Sequence, residues 1–433
     1  MKQKLKNSPK DKYLPNGITG AYGYNPNGDI NTLQYKAGST NVLNLNYPSY
    51  DNVHNILTQG KNGVTKTFSY DNLNQLTGVN VGGVQTEQFT YDPVGNRLTS
   101  IDNPTWTYNT DNELTGFGAT TMTYDANGNM TADSSAGSTL TYDFENRLAS
   151  YATASTTANY LYDPQGRRLQ KTVNSVVTRY LWDGATMIAE LDGTNQVTRL
   201  YTYNPQSMEP VSTAIGCTAY FYITDHLMTP QMLTSISGTT VWYAELSSFG
   251  TANVITSTVT NNIRFPGQYA DAESGLYYNY ARYYFSDIGR YLQPDPLSIS
   301  HMQFLLLLMK MKLLPNAAIG KKFVYGLRKN NEILPQSTNE EIYIYANDNP
   351  IRNIDLWGLS FVQSPNGQGC LPHREDHGYI EPDPSCDCFG NCPGPTPLPC
   401  VVYEVYCTAV LTFLCPEPIP LIVCTLVCVE PAQ

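Results

Sequence analysis

Basic residues are scarce in this chain. Only 26 lysines and arginines stand against 37 acids in 433 residues, a formal net charge of −11. Phosphate binding needs clustered Lys and Arg, so no nucleic acid is predicted as a partner. Histidine is scarcer: His54, His226, His301, His373 and His377 are scattered and form no pair at metalloprotease spacing. Phosphate-cradling enzymes are excluded too, because no glycine-rich loop is followed by Lys and Ser or Thr. Long apolar runs are missing. Phe304 to Leu314 is too short to cross a bilayer, and Val401 to Cys415 is parted from Leu421 to Val429 by Pro416, Pro418 and Pro420. No transmembrane helix is therefore expected. No apolar segment of signal-peptide length follows Lys2, Lys4 and Lys6, so export, if it occurs, uses a route that needs no signal peptide.

Tyrosine, by contrast, is abundant: 33 residues against 13 Phe and 4 Trp. Many of these tyrosines belong to one returning phrase, an aromatic, a spacer, Tyr-Asp or Tyr-Asn, a Gly/Asn turn, then an aliphatic residue. Copies sit at Tyr24, Tyr50, Tyr70, Tyr91, Tyr108, Tyr124, Tyr142 and Tyr162, with Trp182 in the last slot. That is an internal repeat, and it governs the fold. In Phe89-Thr90-Tyr91-Asp92-Pro93-Val94-Gly95-Asn96-Arg97-Leu98, Phe89 and Tyr91 share one face of a strand at period two. Asp92, Pro93 and Gly95 then supply a type I turn closed by a left-handed residue. Each unit is a strand, a turn and a strand. A lone hairpin is marginal in water, so successive units must pair edge to edge. The expected fold is all-β, one long curled antiparallel sheet, with tyrosine hydroxyls turned to water or a polar lumen.

Beyond Trp182 the phrasing changes. Tyr220-Phe221-Tyr222-Ile223-Thr224-Asp225-His226 is followed by Arg264-Phe265-Pro266-Gly267-Gln268-Tyr269. Next come Glu273-Ser274-Gly275-Leu276-Tyr277-Tyr278-Asn279-Tyr280-Ala281-Arg282 and Gly289-Arg290-Tyr291-Leu292-Gln293-Pro294-Asp295-Pro296. This block resembles the repeat-associated core domain of the RHS (rearrangement hotspot) family, and the phrases ahead of it resemble that family's YD repeats, over roughly Tyr24 to Leu359. The resemblance implies a hollow β shell, here partial, whose core domain closes one end. It also implies a variable C-terminal effector, kept inside the shell and cut free by the core. The cutting is attributed in the family to two aspartates. Carried over, these are Asp295, in Arg290-Tyr291-Leu292-Gln293-Pro294-Asp295-Pro296, and Asp355, in Ile354-Asp355-Leu356-Trp357-Gly358-Leu359. The cut would fall between Leu359 and Ser360, with Arg290 steadying the charged aspartate. Two carboxylates brought within a few ångströms of each other share a proton, so one can act as base and the other as acid.

Two departures stand out. Leu356 occupies a position where the family has Pro, and Asp295 is much farther from Asp355 than the family's spacing because of an insert near 297–337 with a helix-prone apolar stretch. Residues 360–433 differ again. They hold nine of the ten cysteines, from Cys370 to Cys428, leaving only Cys217 elsewhere, and they contain no Lys. Disulfides formed after export, with one thiol left over, account for such density better than metal. No cofactor and no metal are expected. The organisation read from the sequence is a basic lead-in (1–23), YD repeats (24–215), a core domain with its insert (216–359) and a small Cys-rich acidic appendage (360–433). The chain reads as the C-terminal part of a polymorphic-toxin-like protein, secreted or at the cell surface. Its only suggested enzymology is aspartyl-type self-cleavage. The expected partners are its own effector region, an immunity protein and a secretion or toxin-complex partner. Two other readings stay open: a non-catalytic surface protein that binds carbohydrate, and a truncated, inactive copy.

Overall fold

The computed structural model describes residues 11–204, 207–296, 343–356 and 358, together with the backbone of 362–363, 402–410 and 421–429. The helix-prone insert at 297–337, the cut between Leu359 and Ser360, and most of the Cys-rich region lie outside the described residues.

The repeat phrase folds as its turn chemistry dictates. Asp92 Oδ1 accepts the backbone N–H of Val94 at 3.0 Å and of Asn96 at 2.8 Å, while Gly95 takes φ +81. The same two acceptor bonds recur at Asp71, Asp125, Asp143 and Asp163. Asn74, Asn112 and Asn146 fill the left-handed position where glycine is absent.

Successive units are stitched by the motif's own aromatic. The hydroxyl of Tyr91 donates to the carbonyl of Leu76 at 2.8 Å, that of Tyr142 to Met130 at 2.8 Å, and that of Tyr162 to Leu148 at 2.9 Å. These hydroxyls therefore do not face water or a lumen. They satisfy backbone acceptors of the preceding unit, which is why the repeat uses Tyr where a dry core would use Phe. The turns form a second seam: Asn96 Nδ2 bonds Asn112 Oδ1, and Asn129 Nδ2 bonds Asn146 Oδ1, both at 2.9 Å.

Every strand from Asp11–Tyr13 to Ala252–Ser257 pairs antiparallel within its sheet, but the sheet is not continuous. Nine strands end at Arg97–Ser100 and sixteen more begin at Trp106–Tyr108. The ladder stops where Ser100 and Asn103 close a turn on each other ahead of Pro104, which has no N–H to give. The repeat contacts nevertheless cross this gap, since Tyr108 still donates to Arg97 O at 2.8 Å. The sixteen-stranded sheet passes position 216 without interruption.

Among the described residues the ribbon curls back on itself without closing into a barrel. Its later strands face the first sheet, so Leu33, Tyr35, Leu43, Phe68 and Phe89 share a core with Phe221, Ile223, Met232 and Phe249. Each such buried side chain contributes about 2 kcal/mol. Polar ties flank that core: Lys12 to Glu209 at 2.8 Å and Lys61 to Glu245 at 3.1 Å. A four-stranded sheet spanning 269–291 packs on the middle repeats, where Tyr269, Tyr278 and Tyr283 join Leu140, Leu148 and Tyr160. In that junction Arg168 and Asp271 pair, with side chains 1% and 0% exposed. Lys171 bridges Asp271 to Glu273 at 3.0 and 2.8 Å. Among the described residues the only helical turn is Ala346–Asp348. Val402–Val410 and Leu421–Val429 form an antiparallel hairpin, the form expected of two apolar runs parted by prolines.

Candidate functional site

The strands Tyr277–Asn279 and Arg282–Phe285 make a tight hairpin in which Asn279 pairs with Arg282. Tyr280 is forced to φ +52 in the turn, an arrangement that costs about 1–2 kcal/mol for a residue with a Cβ. The hairpin places both Asn279 and Arg282 inside the protein, where they are 0% and 2% exposed.

Arg282 organises the site. Its Nη2 lies 2.9 Å from Asp295 Oδ2 and 3.0 Å from Asp355 Oδ2. Two carboxylates 60 positions apart in the chain thus meet on one nitrogen. Its Nε donates to the carbonyl of Gly358 at 2.6 Å, and its guanidinium lies 3.6 Å from the Tyr291 ring centroid. Tyr291 in turn donates to Asp355 Oδ2 at 2.8 Å. Burial pushes the Tyr291 hydroxyl well above its ordinary pKa, and the Asp355 charge adds to this, so it remains a donor. Asn279 Nδ2 completes the ring, reaching both Tyr291 OH and the backbone carbonyl of Asp355 at 2.8 Å. Asp295 keeps 14% side-chain exposure against 2% for Asp355, leaving solvent an approach from the Asp295 side.

The segment carrying Asp355 is laid along the turns of the repeats. Arg352 donates to Val53 O, Asn349 to Asn55 Oδ1 and Asn74 O, and Gln75 donates to Asp348 Oδ2. Tyr343 reaches Gly128 O. As the chain runs from 352 back to 343, its contacts advance from the second repeat turn to the sixth. Its one irregularity is at Ala346, Asn347 and Asp348, where φ is +52, +53 and +52. Three non-glycine residues in this region hold only because flanking contacts over-determine them. His226 supplies another tie: Nε2 lies 3.0 Å from Ile351 O and Nδ1 lies 2.9 Å from Tyr47 OH. Since Ile351 O can only accept, Nε2 carries the proton and Nδ1 accepts from Tyr47. Burial lowers the His226 pKa despite the adjacent Asp225.

Of the residues assigned from sequence, Asp295 and Asp355 are brought together. Arg290 is not with them. Its guanidinium bonds Asn96 Oδ1 at 3.1 Å and Asn112 O at 2.9 Å, fastening the core sheet to the repeat turns. Arg282 occupies the place that had been given to Arg290. Both arginines stand in similar aromatic surroundings in the sequence, so their roles separate only once the hairpin is folded. Leu359 and Ser360 lie outside the described residues.

A family model for the teneurin YD-shell matches residues 14–333, well over half of the chain. The chain belongs to the YD-shell family. Among similar proteins, the tRNA nuclease WapA of Bacillus subtilis strain 168 is 32% identical over 240 residues, covering 52% of this chain and 10% of WapA. Double-stranded DNA deaminase toxin A of Burkholderia cenocepacia is 27% identical over 272 residues, covering 54% of this chain and 19% of the toxin. This YD-shell chain therefore spans only a small part of those relatives' length. The fold is also that of the TcdB2–TccC3 crystal structure, with a TM-score of 0.57 at 16% identity over 81% of this chain and 19% of the other. A TcdB2–TccC3 structure without the hypervariable C-terminal region matches at TM-score 0.59 and 17% identity, over 81% of this chain and 18% of the other.

Proposed function

We propose that this YD-shell chain is a toxin-delivery shell that severs its own C-terminal region. Residues 24–215 form wall, residues 216–359 form the closing core, and residues 360–433 are the cargo. The observation that carries the reading is the convergence of Asp295 and Asp355 on Nη2 of Arg282. One carboxylate takes a proton from water, whose oxygen attacks the carbonyl carbon of Leu359. The protonated partner then gives its proton to the departing amine of Ser360 as the C–N bond breaks. Arg282 steadies the pair's charge through both steps. Only one peptide is cut, because Asp355 belongs to the segment being cut.

Similarity to proteins named as a tRNA nuclease, a DNA deaminase toxin and the toxin protein Tse5 supports the toxin setting. An immunity protein and a toxin-complex partner, with export from the producing cell, belong to the same proposal. The test is intact mass, measured under reducing conditions, on the purified chain and on Asp355→Asn. A fragment beginning at Ser360 in the first and absent from the second is expected. An intact wild-type chain after prolonged incubation would refute self-cleavage.

A further inference from the structure

The segment ahead of the cut is gripped at places that hold no proton-transferring group. Leu356 is 2% exposed and sits in a small apolar cluster with Leu227, Met228 and Ile354. Met228 is an odd occupant of its position. It takes φ +68 as the fourth residue of the Asp225 turn, the place held by Gly95, Gly128 and Gly166, or by Asn112 and Asn146, in other turns. Methionine there costs about 1–2 kcal/mol of backbone strain, and the turn would close as well with glycine or asparagine. What methionine adds is an apolar wall against Leu356 and Ile354. On another side, Gly267 at φ +83 leaves a gap: a Cβ there would lie 2.1 Å from the Leu356 carbonyl oxygen. Gly358, at φ +61, is tied to the same frame, since a Cβ on it would lie 2.6 Å from Asn279 O.

We infer that Leu227, Met228 and Gly267 form a recognition cleft selecting the chain's own sequence before the cut. It takes an aliphatic side chain at 356 and, with Asn279, accepts only glycine at 358. This rests on the self-cleavage reading and assigns positioning, not catalytic, roles. Leu227 and Met228 hold the side chain, Gly267 admits the carbonyl, and together they set where the chain leading to Leu359 runs. A misplacement of about 1 Å at a reacting bond costs roughly a hundredfold in rate.

Met228→Asn keeps a left-handed turn while removing the wall, Met228→Leu restores a wall, and Leu356→Asp puts a charge into the cleft. Each is followed by the rate of fragment release, the thermal midpoint, and hydrogen exchange across 353–358. Met228→Asn and Leu356→Asp are expected to slow release about tenfold or more and to accelerate exchange at 353–358. The thermal midpoint should be held in Met228→Asn and lowered in Leu356→Asp, whose carboxylate has no partner in the apolar cluster. Met228→Leu should recover most of the rate. Wild-type release rates in Met228→Asn and Leu356→Asp would overturn the cleft and leave self-cleavage standing. If the wild-type chain does not cleave, self-cleavage falls and exchange alone decides the cleft. Acceleration in Met228→Asn then supports it, and unchanged exchange overturns it.

Discussion

The indole Nε1–H of Trp182 donates to the backbone carbonyl of Arg168 at 2.9 Å, the place taken by a tyrosine hydroxyl in the preceding repeats. Tryptophan therefore continues the repeat seam by another donor. Trp182→Phe keeps a ring but leaves that carbonyl without its partner. We expect a loss of about 1 kcal/mol in chemical denaturation, and a smaller loss for Trp182→Tyr. Equal losses in the two variants would show that the ring, not the donor, matters.

The Arg168–Asp271 pair is a different kind of tie. Five tyrosine rings surround the guanidinium, with Tyr278 at 4.4 Å and Tyr180 at 4.9 Å from its carbon. Removing one partner strands a buried charge, so Asp271→Asn should destabilise the chain by about 3–5 kcal/mol. Replacing both, as Arg168→Met with Asp271→Leu, should cost much less than either change alone. Urea titrations of the two single variants and the double variant check this.

Acid should loosen the protein in two separate windows. Burial lowers the His226 pKa in the fold, so the unfolded chain takes up that proton first. Stability is then lost as pH falls below about 6.5. The contact at stake is the hydrogen bond that Nδ1 accepts from Tyr47, since Nε2 keeps its proton toward Ile351 O in either state. For Asp271, burial acts to raise the pKa, but Arg168 and Lys171 outweigh it and leave it below the ordinary value. That contribution is complete above about pH 4 and fades as pH falls through the depressed folded value. His226→Gln should remove the first window and leave the second, read as the thermal midpoint against pH.

The repeat was legible because its chemistry is local. Asp92, Gly95 and Tyr91 each act within a few residues of themselves or on the adjacent unit, so spacing alone declared the strands and turns. The destination of the tyrosine hydroxyls was not legible, because Leu76 O becomes an acceptor only when two units pair. The break after Ser100 was missed for a related reason: Pro104 interrupts a ladder whose flanking turns are ordinary. In the site, Asp295 and Asp355 came from resemblance, whereas Arg282 is set by a hairpin with a strained Tyr280 that no pattern of residue types announces. The path of 343–356 across the turns depends on pairs such as Asn349 with Asn74, more than two hundred residues apart.

Cys217 makes the final prediction. It is exposed near the tip of the Pro210–Ile215 and Thr218–Thr224 hairpin, and it is disulfide-bonded. The other nine cysteines all lie within 360–433, and the prediction is that Cys217 is bonded to one of them. Such a bond would take up the one thiol that an odd set of nine leaves over. Hydrolysis after Leu359 would then not free the cargo by itself, because a covalent bond to the shell survives the cut. A thiol reductant must supply two electrons, leaving one thiol on the shell and one on the cargo. In the cleaved protein the two pieces should migrate together on a non-reducing gel and part on addition of dithiothreitol. Cys217→Ser should part them without reductant, and separation of the wild-type pieces without reductant would refute the tether. Peptide hydrolysis arms the cargo in this scheme, and entry into a reducing compartment releases it.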